Sequence, residues 1–347
     1  MSKVRVAIIC GGKSSEHEIS CVSANGVLGA IDRSKFDPVL IGITKSGKWL
    51  LLAEDTNFAI INGALPSVPE SGVEVTLTSS GLFSGGKNLA IDVAFPILHG
   101  PYGEDGTIQG LFEMIGLRYV GSGVLASAVS MDKSYAKPIF AAAGLKVAEG
   151  VVVTSNKFRL PGNLSYPLFV KPARSGSSRG TSKVKQESEL IAAVDYALTF
   201  DTKVIIEKAV IGKEIECAVL QADGEVKVST VGQIVIADKY EFYDFQAKYL
   251  DNSMQLVAPA DLPQGVEEKI QAAALIAFNA AGCEGLARID FFYSNEGEII
   301  INEINTMPGF TPTSVYPKLI EKTGINYQSL ISKLIQSAQN RSASITR

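Results

Sequence analysis

Histidine and cysteine are scarce in this chain. Its 347 residues include two histidines, His17 and His99, and four cysteines, Cys10, Cys21, Cys217 and Cys283. No two cysteines form a CxxC pair, and no histidine–cysteine set has the spacing of a zinc site. A metal used by this protein must then be held by oxygen ligands, which favours Mg²⁺. The scattered cysteines read as reduced, buried small residues of a cytosolic protein. No stretch approaches about 18 uninterrupted apolar residues, so no transmembrane helix is expected. The short apolar run at the N-terminus is broken by Arg5 and lacks a small-residue cleavage pattern, so it is not a secretory signal. An excess of one charge is also missing. With 32 basic and 36 acidic side chains the net charge is -4, which speaks against a nucleic-acid binder while leaving room for a local cationic cleft.

Hydrophobic residues make up 46% and charged residues 20%, as in a packed globular protein. At roughly 150 residues per domain the length allows two or three domains. Residues 4–10 (VRVAIIC) read as a buried strand, residues 17–31 as a helix, and residues 39–43 and 92–98 as further strands. Residues 107–116 suit a short helix closed by Gly116. Strands alternating with helices imply an open, largely parallel α/β sheet over residues 1–120. Strand patterns at 151–154, 168–171 and 204–207 surround a helix at 188–200. The last third carries strands at 214–221, 226–237, 286–293 and 298–305, with a helix at 267–281 whose C′ residue is Gly282. That is an antiparallel α+β pattern. The tail from Ser337 is polar and reads as frayed.

Five stretches could carry chemistry. Gly11-Gly12-Lys13-Ser14 resembles the end of a phosphate-binding loop, but Ala7 stands where that loop needs a glycine, and it is not a GxGxxG turn either. Glu16 follows the strand's C-terminal end, where open α/β sheets bind ligands; the alternative is a plain strand-to-helix turn. In residues 171–180, Lys171 and Arg174 flank a Gly/Ser loop whose backbone N–H groups could form an anion nest; the alternative is a hairpin tip with incidental basic residues. In residues 286–292 a strand period of two places Arg288 and Asp290 on one face, and Glu303 and Asn305 share a face of the following strand. If residues 295–297 form a hairpin turn, Asp290, Glu303 and Asn305 converge as hard oxygen ligands for Mg²⁺ with Arg288 beside them. Their flanks are strongly apolar, and a carboxylate pair set among apolar residues needs a partner or a metal. Residues 306–312 (TMPGFTP) form a stiff turn in which Gly309 permits close backbone approach. The aromatic-rich segment 241–249 reads as a lid or as an amphipathic surface segment. The two histidines are expected to have hydrogen-bonding roles at most.

In family order, the segments GGKSSEHEIS (11–20), HGPYGEDGTIQG (99–110), GSGVLASAVSMDK (121–133), VKPARSGSSRG (170–180), IEKAVIGKEIECAV (206–219), YDFQAKY (243–249), GLARIDFF (285–292) and NEINTMPGFTPTS (302–314) are similar to those of the D-alanine–D-alanine ligase family of the ATP-grasp superfamily. The similarity runs from Gly11 to about Leu334. It implies an ATP-grasp fold behind an N-terminal open parallel α/β domain. The implied divisions are an N-terminal substrate domain (1–122), a central ATP-grasp subdomain (123–212) and a C-terminal one with the metal site and lid loop (213–347). It further implies ATP and Mg²⁺ (or Mn²⁺), two D-alanine substrates, a homodimer, a cytoplasmic location and a part in peptidoglycan synthesis.

By the same resemblance, Asp290, Glu303 and Asn305 hold the metal. Lys133 and Lys171 contact the ATP phosphates, and Lys248 sits near the γ-phosphate. Glu207, Lys208, Val210 and Glu214 surround adenine and ribose. Arg288 and the Gly309 N–H stabilise an oxyanion. Glu16 takes the first D-alanine's ammonium in a link with Ser177 and Tyr249, and Ser314 holds the second D-alanine's carboxylate. His99 matches a position near the first substrate. Tyr249 points away from D-lactate as acceptor, while Phe245 and Gln246 depart from the more usual Tyr and Glu, which bears on lid packing. Three alternatives remain at this point: a ligase with D-lactate or D-serine as acceptor, a nucleotide-responsive binding protein without turnover, and, weaker, a dinucleotide oxidoreductase.

Overall fold

The computed structural model describes residues 2–236 and 254–341. The first strand, β1 (Val4–Gly11), is buried from Val6 onward, as a central parallel strand must be when both its faces are covered. It leads through the Gly11-Gly12 turn into α1 (His17–Ala30) and then β2 (Phe36–Ile43). Four shorter strands follow: β3 (Trp49–Leu51), β4 (Val73–Thr78), β5 (Gly81–Ser84) and β6 (Lys87–Asn88). The chain then returns to the centre with β7 (Val93–Pro96), α2 (Thr107–Met114) and β8 (Arg118–Tyr119). The sheet order is β6-β5-β4-β3-β2-β1-β7-β8. Only the β2-β1-β7-β8 half is parallel. Residues 49–88 extend the sheet antiparallel beyond β2, which corrects the expectation of a largely parallel sheet. Their short segments lack the crossover helices that a parallel pairing requires.

Two helices, α3 (Val124–Met131) and α4 (Lys133–Ala142), lead to a four-stranded antiparallel sheet. It comprises β9 (Gly150–Val153), β10 (Leu168–Pro172), β11 (Ser182–Val184) and β12 (Val204–Lys208), in the order β11-β10-β12-β9, with α5 (Glu187–Leu198) packed on it. The third sheet is built from β13 (Gly212–Ala222), β14 (Glu225–Ile236), β15 (Met254–Val257), β16 (Leu286–Ser294) and β17 (Ile299–Asn305), all antiparallel in the order β15-β14-β13-β16-β17. Helices α6 (Val266–Ala280), α7 (Val315–Glu321) and α8 (Tyr327–Asn340) complete the described chain. The α8 helix continues to Asn340 with Ala338 buried, so the tail is ordered three residues beyond the point where its polarity suggested fraying.

Strand alternation makes the third sheet two-faced. Ile215, Cys217 and Val219 of β13 and Ala287, Ile289 and Phe291 of β16 pack in one core with Ile270, Ala274 and Phe278 of α6. Residues of the opposite parity, Ala218, Leu220 and Leu286, join a second core with Tyr316, Leu319 and Leu330 and with Ile8 and Phe95 of the first sheet. The N-terminal sheet and the third sheet are thus welded through α7 and α8. Further along β13 and β16 the same parity carries Glu216, Arg288 and Asp290, so the apolar weld runs directly into the charged site.

Gly11 adopts φ +89° at the end of β1, and a Cβ there would stand 2.3 Å from the Ile43 carbonyl oxygen. Gly11→Ala is expected to cost at least ~1–2 kcal/mol, from the left-handed backbone and the forced displacement of β2. The urea midpoint reports this, and an unchanged midpoint would show that the turn tolerates a side chain.

Candidate active site

Two adjoining cavities lie where the three sheets meet. The first, about 110 Å³, is lined by Lys133, Lys171, Glu207, Lys208, Val210 and Glu214, between the second and third sheets. The second, about 440 Å³, lies between the N-terminal and third sheets and is lined by Glu16, His99, Arg288, Asn305, Gly309 and Ser314. Ser177, Glu216 and Glu303 line both, so the two cavities adjoin at these side chains.

The first cavity is organised by a buried carboxylate. Glu207, on β12, accepts an ion pair from Lys171 of β10 at 2.5 Å and a second from Lys137 of α4. Burial drives the Glu207 carboxyl up, but the two ammonium groups outweigh it and hold its pKa at about 2. At Lys137, burial, reinforced by the like charges of Lys171 and Lys133, outweighs Glu207 and leaves its pKa below the usual value. Lys133 opens α4 behind the Asp132 N-cap, whose side chain accepts from the Ser134 amide. Its Nζ sits 3.0 Å from Glu303 and donates to the Ser175 carbonyl at 3.1 Å. Burial pulls its pKa down, yet Glu303, Glu207 and Glu104 together raise it above the usual lysine value.

Across the cavity, the β16–β17 hairpin turns at residues 295–297, with Gly297 at φ +80°, and pairs Asp290 with Glu303 and Arg288 with Asn305. The register shifts between Asp290 and Phe291, leaving Asn302 as an extra residue on β17. Such a bulge breaks the period of two, so consecutive Asn302 and Glu303 both reach the first cavity. Asn302 Oδ1 accepts from Lys171 Nζ at 3.1 Å. Arg288 forks onto Asp290 with two bonds of 2.7 Å and reaches Glu216 at 2.9 Å. Burial lowers the Arg288 pKa, but Asp290 and Glu216 raise it well above the usual value, so the guanidinium is permanently charged. Asn305 Nδ2 donates to Asp290 at 3.1 Å. Two facing carboxylates and a carboxamide form an all-oxygen donor set that suits a hard cation such as Mg²⁺. Among the described residues no group of three or more His, Cys, Asp or Glu side chains could hold a metal.

The second cavity centres on Glu16, the N-cap residue of α1. The backbones of Gly100 and Gly176 approach it so closely that a Cβ on either would stand 2.6 or 2.8 Å from Glu16 Oε2. Ser177, in a left-handed conformation at φ +52°, donates its hydroxyl to Glu16. The loop after β10 therefore arches over the N-terminal domain. At the opposite wall, the Ser314 hydroxyl accepts from the Thr311 amide at 3.0 Å, and Gly309 lies against it.

The structure brings together Glu16, Lys133, Lys171, Ser177, Glu207, Lys208, Val210, Glu214, Arg288, Asp290, Glu303, Asn305, Gly309 and Ser314. Lys248 and Tyr249, with the rest of the aromatic segment 241–249, lie outside the described residues. Of the two basic residues in the anion-nest reading, Arg174 has its guanidinium and backbone N–H tied to Asp201. Both histidines are held by hydrogen bonds: His17 by the Gly12 carbonyl and Val68 N–H, His99 by the Met307 carbonyl and Ser23 hydroxyl. Four contributors escaped the sequence reading. Glu216 was accessible through the strand period from Glu214. Asn302 was hidden by the bulge, whereas Lys137 and Glu104 became visible only through their partners.

The depressed Glu207 pKa fixes a sign. Its ion pairs contribute stability above the unfolded carboxyl value of 4.5, and that stability is lost as pH falls toward about 2. Lys137→Met leaves Glu207 with Lys171 alone and raises the lower limit. Acid unfolding followed by circular dichroism is therefore expected to begin at higher pH in the variant; coincident curves would show that Lys137 contributes nothing.

Comparison with known proteins agrees with this architecture. Residues 5–122 match the family model for the D-ala D-ala ligase N-terminus and residues 139–336 the model for its C-terminus. The chain is 49% identical to a D-alanine–D-alanine ligase of Arthrobacter sp. (strain FB24), covering 98% of this chain and 95% of that one. It is 48% identical to one of Mycolicibacterium smegmatis, covering 97% and 95%. Similar solved structures include the VanG D-Ala:D-Ser ligase of Enterococcus faecalis (TM-score 0.84, 36% identity, 97% of this chain and 100% of that one). The D-alanine–D-alanine ligase of Coxiella burnetii is also similar (TM-score 0.83, 32% identity, 98% and 95%). With family models over both halves, relatives matched along nearly their full length and the same mixed α/β fold of ATP-grasp type, the chain belongs to the D-alanine–D-alanine ligase family.

Proposed function

We propose that this chain is an ATP-dependent ligase that joins two D-alanines through D-alanyl phosphate, giving D-alanyl-D-alanine, ADP and phosphate for peptidoglycan synthesis. The observation that carries the reading is the adjacency of the two cavities, which share Ser177, Glu216 and Glu303 as lining. A lysine-lined pocket thereby stands beside one that presents Arg288 and Gly309. A phosphoryl group held at the junction is within reach of a carboxylate held beyond it.

In this reading Glu207, Lys208, Val210 and Glu214 receive the adenine and ribose, and Lys133 and Lys171 receive the phosphates. The lysines now paired with Glu303 and Glu207 supply fixed positive charge, as phosphoryl transfer requires. Glu16, buttressed by Ser177, takes the ammonium of the first D-alanine and turns its carboxylate toward the γ-phosphate. Attack by that carboxylate on phosphorus expels ADP and leaves an acyl phosphate. The amine of the second D-alanine, oriented by Ser314 through its carboxylate, then attacks the acyl carbon after losing its proton. Arg288 and the Gly309 N–H stabilise the resulting oxyanion, and its collapse expels phosphate. Asp290, Glu303 and Asn305 would hold Mg²⁺, which when bound neutralises charge on the phosphate oxygens. Lys248, near the γ-phosphate, and Tyr249, in the link with Glu16 and Ser177, belong to the same reading through the sequence resemblance. A homodimer, a cytoplasmic location and the division at residues 122 and 212 are part of this proposal. Among the described residues no helix is long and apolar enough to cross a membrane.

A second reading keeps the chemistry and takes D-serine as acceptor, favoured by the likeness to the D-Ala:D-Ser ligase. The test supplies purified protein with ATP, Mg²⁺ and D-alanine, then adds D-serine or D-lactate, and resolves the products. D-alanine-dependent phosphate release with D-alanyl-D-alanine as the main product is expected; its absence at saturating substrate would refute the proposal, and a dominant D-serine product would select the second reading. Glu303→Ala removes one metal ligand and is expected to lower kcat by at least ~100-fold, while near-normal turnover would remove Glu303 from the metal site.

A further inference from the structure

The loop 99–104 joins the N-terminal domain to the segment carrying Gly309, and it does so through one residue's backbone. The Met307 N–H donates to Glu104 Oε1 at 3.2 Å, and the Met307 carbonyl accepts from His99 Nδ1 at 3.0 Å. Both main-chain polar groups of Met307 are thus held by side chains some 200 residues away in sequence. The clamp is itself braced. The other oxygen of Glu104 accepts from the Gly100 N–H at 2.8 Å, and Glu104 N–H closes the turn onto the Gly100 carbonyl at 2.9 Å. The Met307 carbonyl can only accept, so the ring proton of neutral His99 sits on Nδ1, and Nε2 is left to accept from the Ser23 hydroxyl at 3.1 Å. The His99 carbonyl accepts from Ser14 at 2.7 Å, and that same hydroxyl receives the Glu16 N–H at 3.0 Å. Glu16 at one wall and the 306–309 turn at the other are therefore connected through a single short loop.

The Glu104 side chain receives both of its donors from main-chain N–H groups. Burial and the charge of Glu16 push its carboxyl up to about 8, against the two amide donors. Geometry shows what the group does: each of its oxygens receives a main-chain N–H, Oε1 from Met307 and Oε2 from Gly100, and so ties the two segments together. Met307 lies two residues before Gly309 and two after Asn305. Fixing its peptide groups fixes where the intervening turn presents the Gly309 N–H, to the accuracy that oxyanion stabilisation demands.

We propose that Glu104 and His99 are positioning residues that clamp the Met307 backbone, setting the Gly309 N–H for the tetrahedral intermediate and coupling it to the Glu16 subsite. The inference rests on the reading of Gly309 given above. Glu104→Gln keeps one acceptor oxygen but turns an amide NH₂ toward the second N–H, so one clamp bond is replaced by opposed donors. The expected result is a fall in kcat of about 10–100-fold, with the KM for ATP within about twofold. Affinity for a phosphinate analogue of the dipeptide, tetrahedral at the reacting centre, should fall in parallel with kcat. A purely structural role would lower thermal stability and active fraction while leaving the phosphinate affinity of the folded fraction intact, and that outcome would overturn the proposal. If Glu104→Gln does not fold, His99→Ala removes the bond to the Met307 carbonyl and must show the same split between kcat and the KM for ATP; a uniform loss of both would also overturn it. Wild-type protein that turns over but does not bind the phosphinate more tightly than D-alanine would refute the Gly309 reading and the clamp with it. Tight wild-type binding that Glu104→Gln and His99→Ala both leave unchanged would refute the clamp alone.

Discussion

A charged group withdrawn from water must meet an opposite charge or a hydrogen-bond donor, and this requirement shapes the whole site. Glu207 meets Lys137 and Lys171, Glu303 meets Lys133, and Arg288 meets Asp290 and Glu216. All but Arg288–Asp290, which lies within β16, bridge two elements: β12 to α4 and β10, β17 to α4, β16 to β13. Through α4, whose Lys137 meets Glu207 and whose Lys133 meets Glu303, the ion pairs fix the relative placement of the second and third sheets, the two walls of the first cavity. They are weak evidence for net stability, since desolvation offsets much of the attraction. Their value lies in geometry, because a displaced element would leave a buried charge unpaired.

The apolar framework delivers those charges to one place. Strand alternation divides β13 and β16 between two cores, and the face that welds the third sheet to the N-terminal sheet becomes the floor of the site. The bulge in β17 then adds Asn302 to the set that alternation alone would supply. Close backbone approach does the rest, with Gly100 and Gly176 gripping Glu16 from two domains. The second cavity thus lies between the N-terminal and third sheets, and its walls are linked by the loop that holds Met307.

Much of this organisation could be read from residues. The apolar run of β1, the Gly282 helix end and the antiparallel order of the last third all follow from local pattern, because periodicity and turn chemistry act over a few residues. The parity of Arg288 with Asp290 and of Glu303 with Asn305 followed from the strand period, and the turn at Gly297 brought the two strands into register. The antiparallel extension by residues 49–88 was not legible, since strands of two to six residues carry too little periodicity to show. Arg174 illustrates a different failure. Its proximity in sequence to a Gly/Ser loop suggested a bound anion, whereas the structure pairs it with Asp201, 27 residues away.

What the sequence determined by itself was a chemical inventory: carboxylates and asparagines in place of zinc ligands, lysines and an arginine set close to them, and glycines at the turns. Tertiary structure alone decided which of those groups face one another. Lys137, Asn302 and Glu104 enter the site only through partners 70, 131 and 203 residues distant. Pairing of buried charge is a three-dimensional constraint; it leaves no period in the chain, because its partners are chosen by how sheets pack and not by how far apart residues lie in sequence.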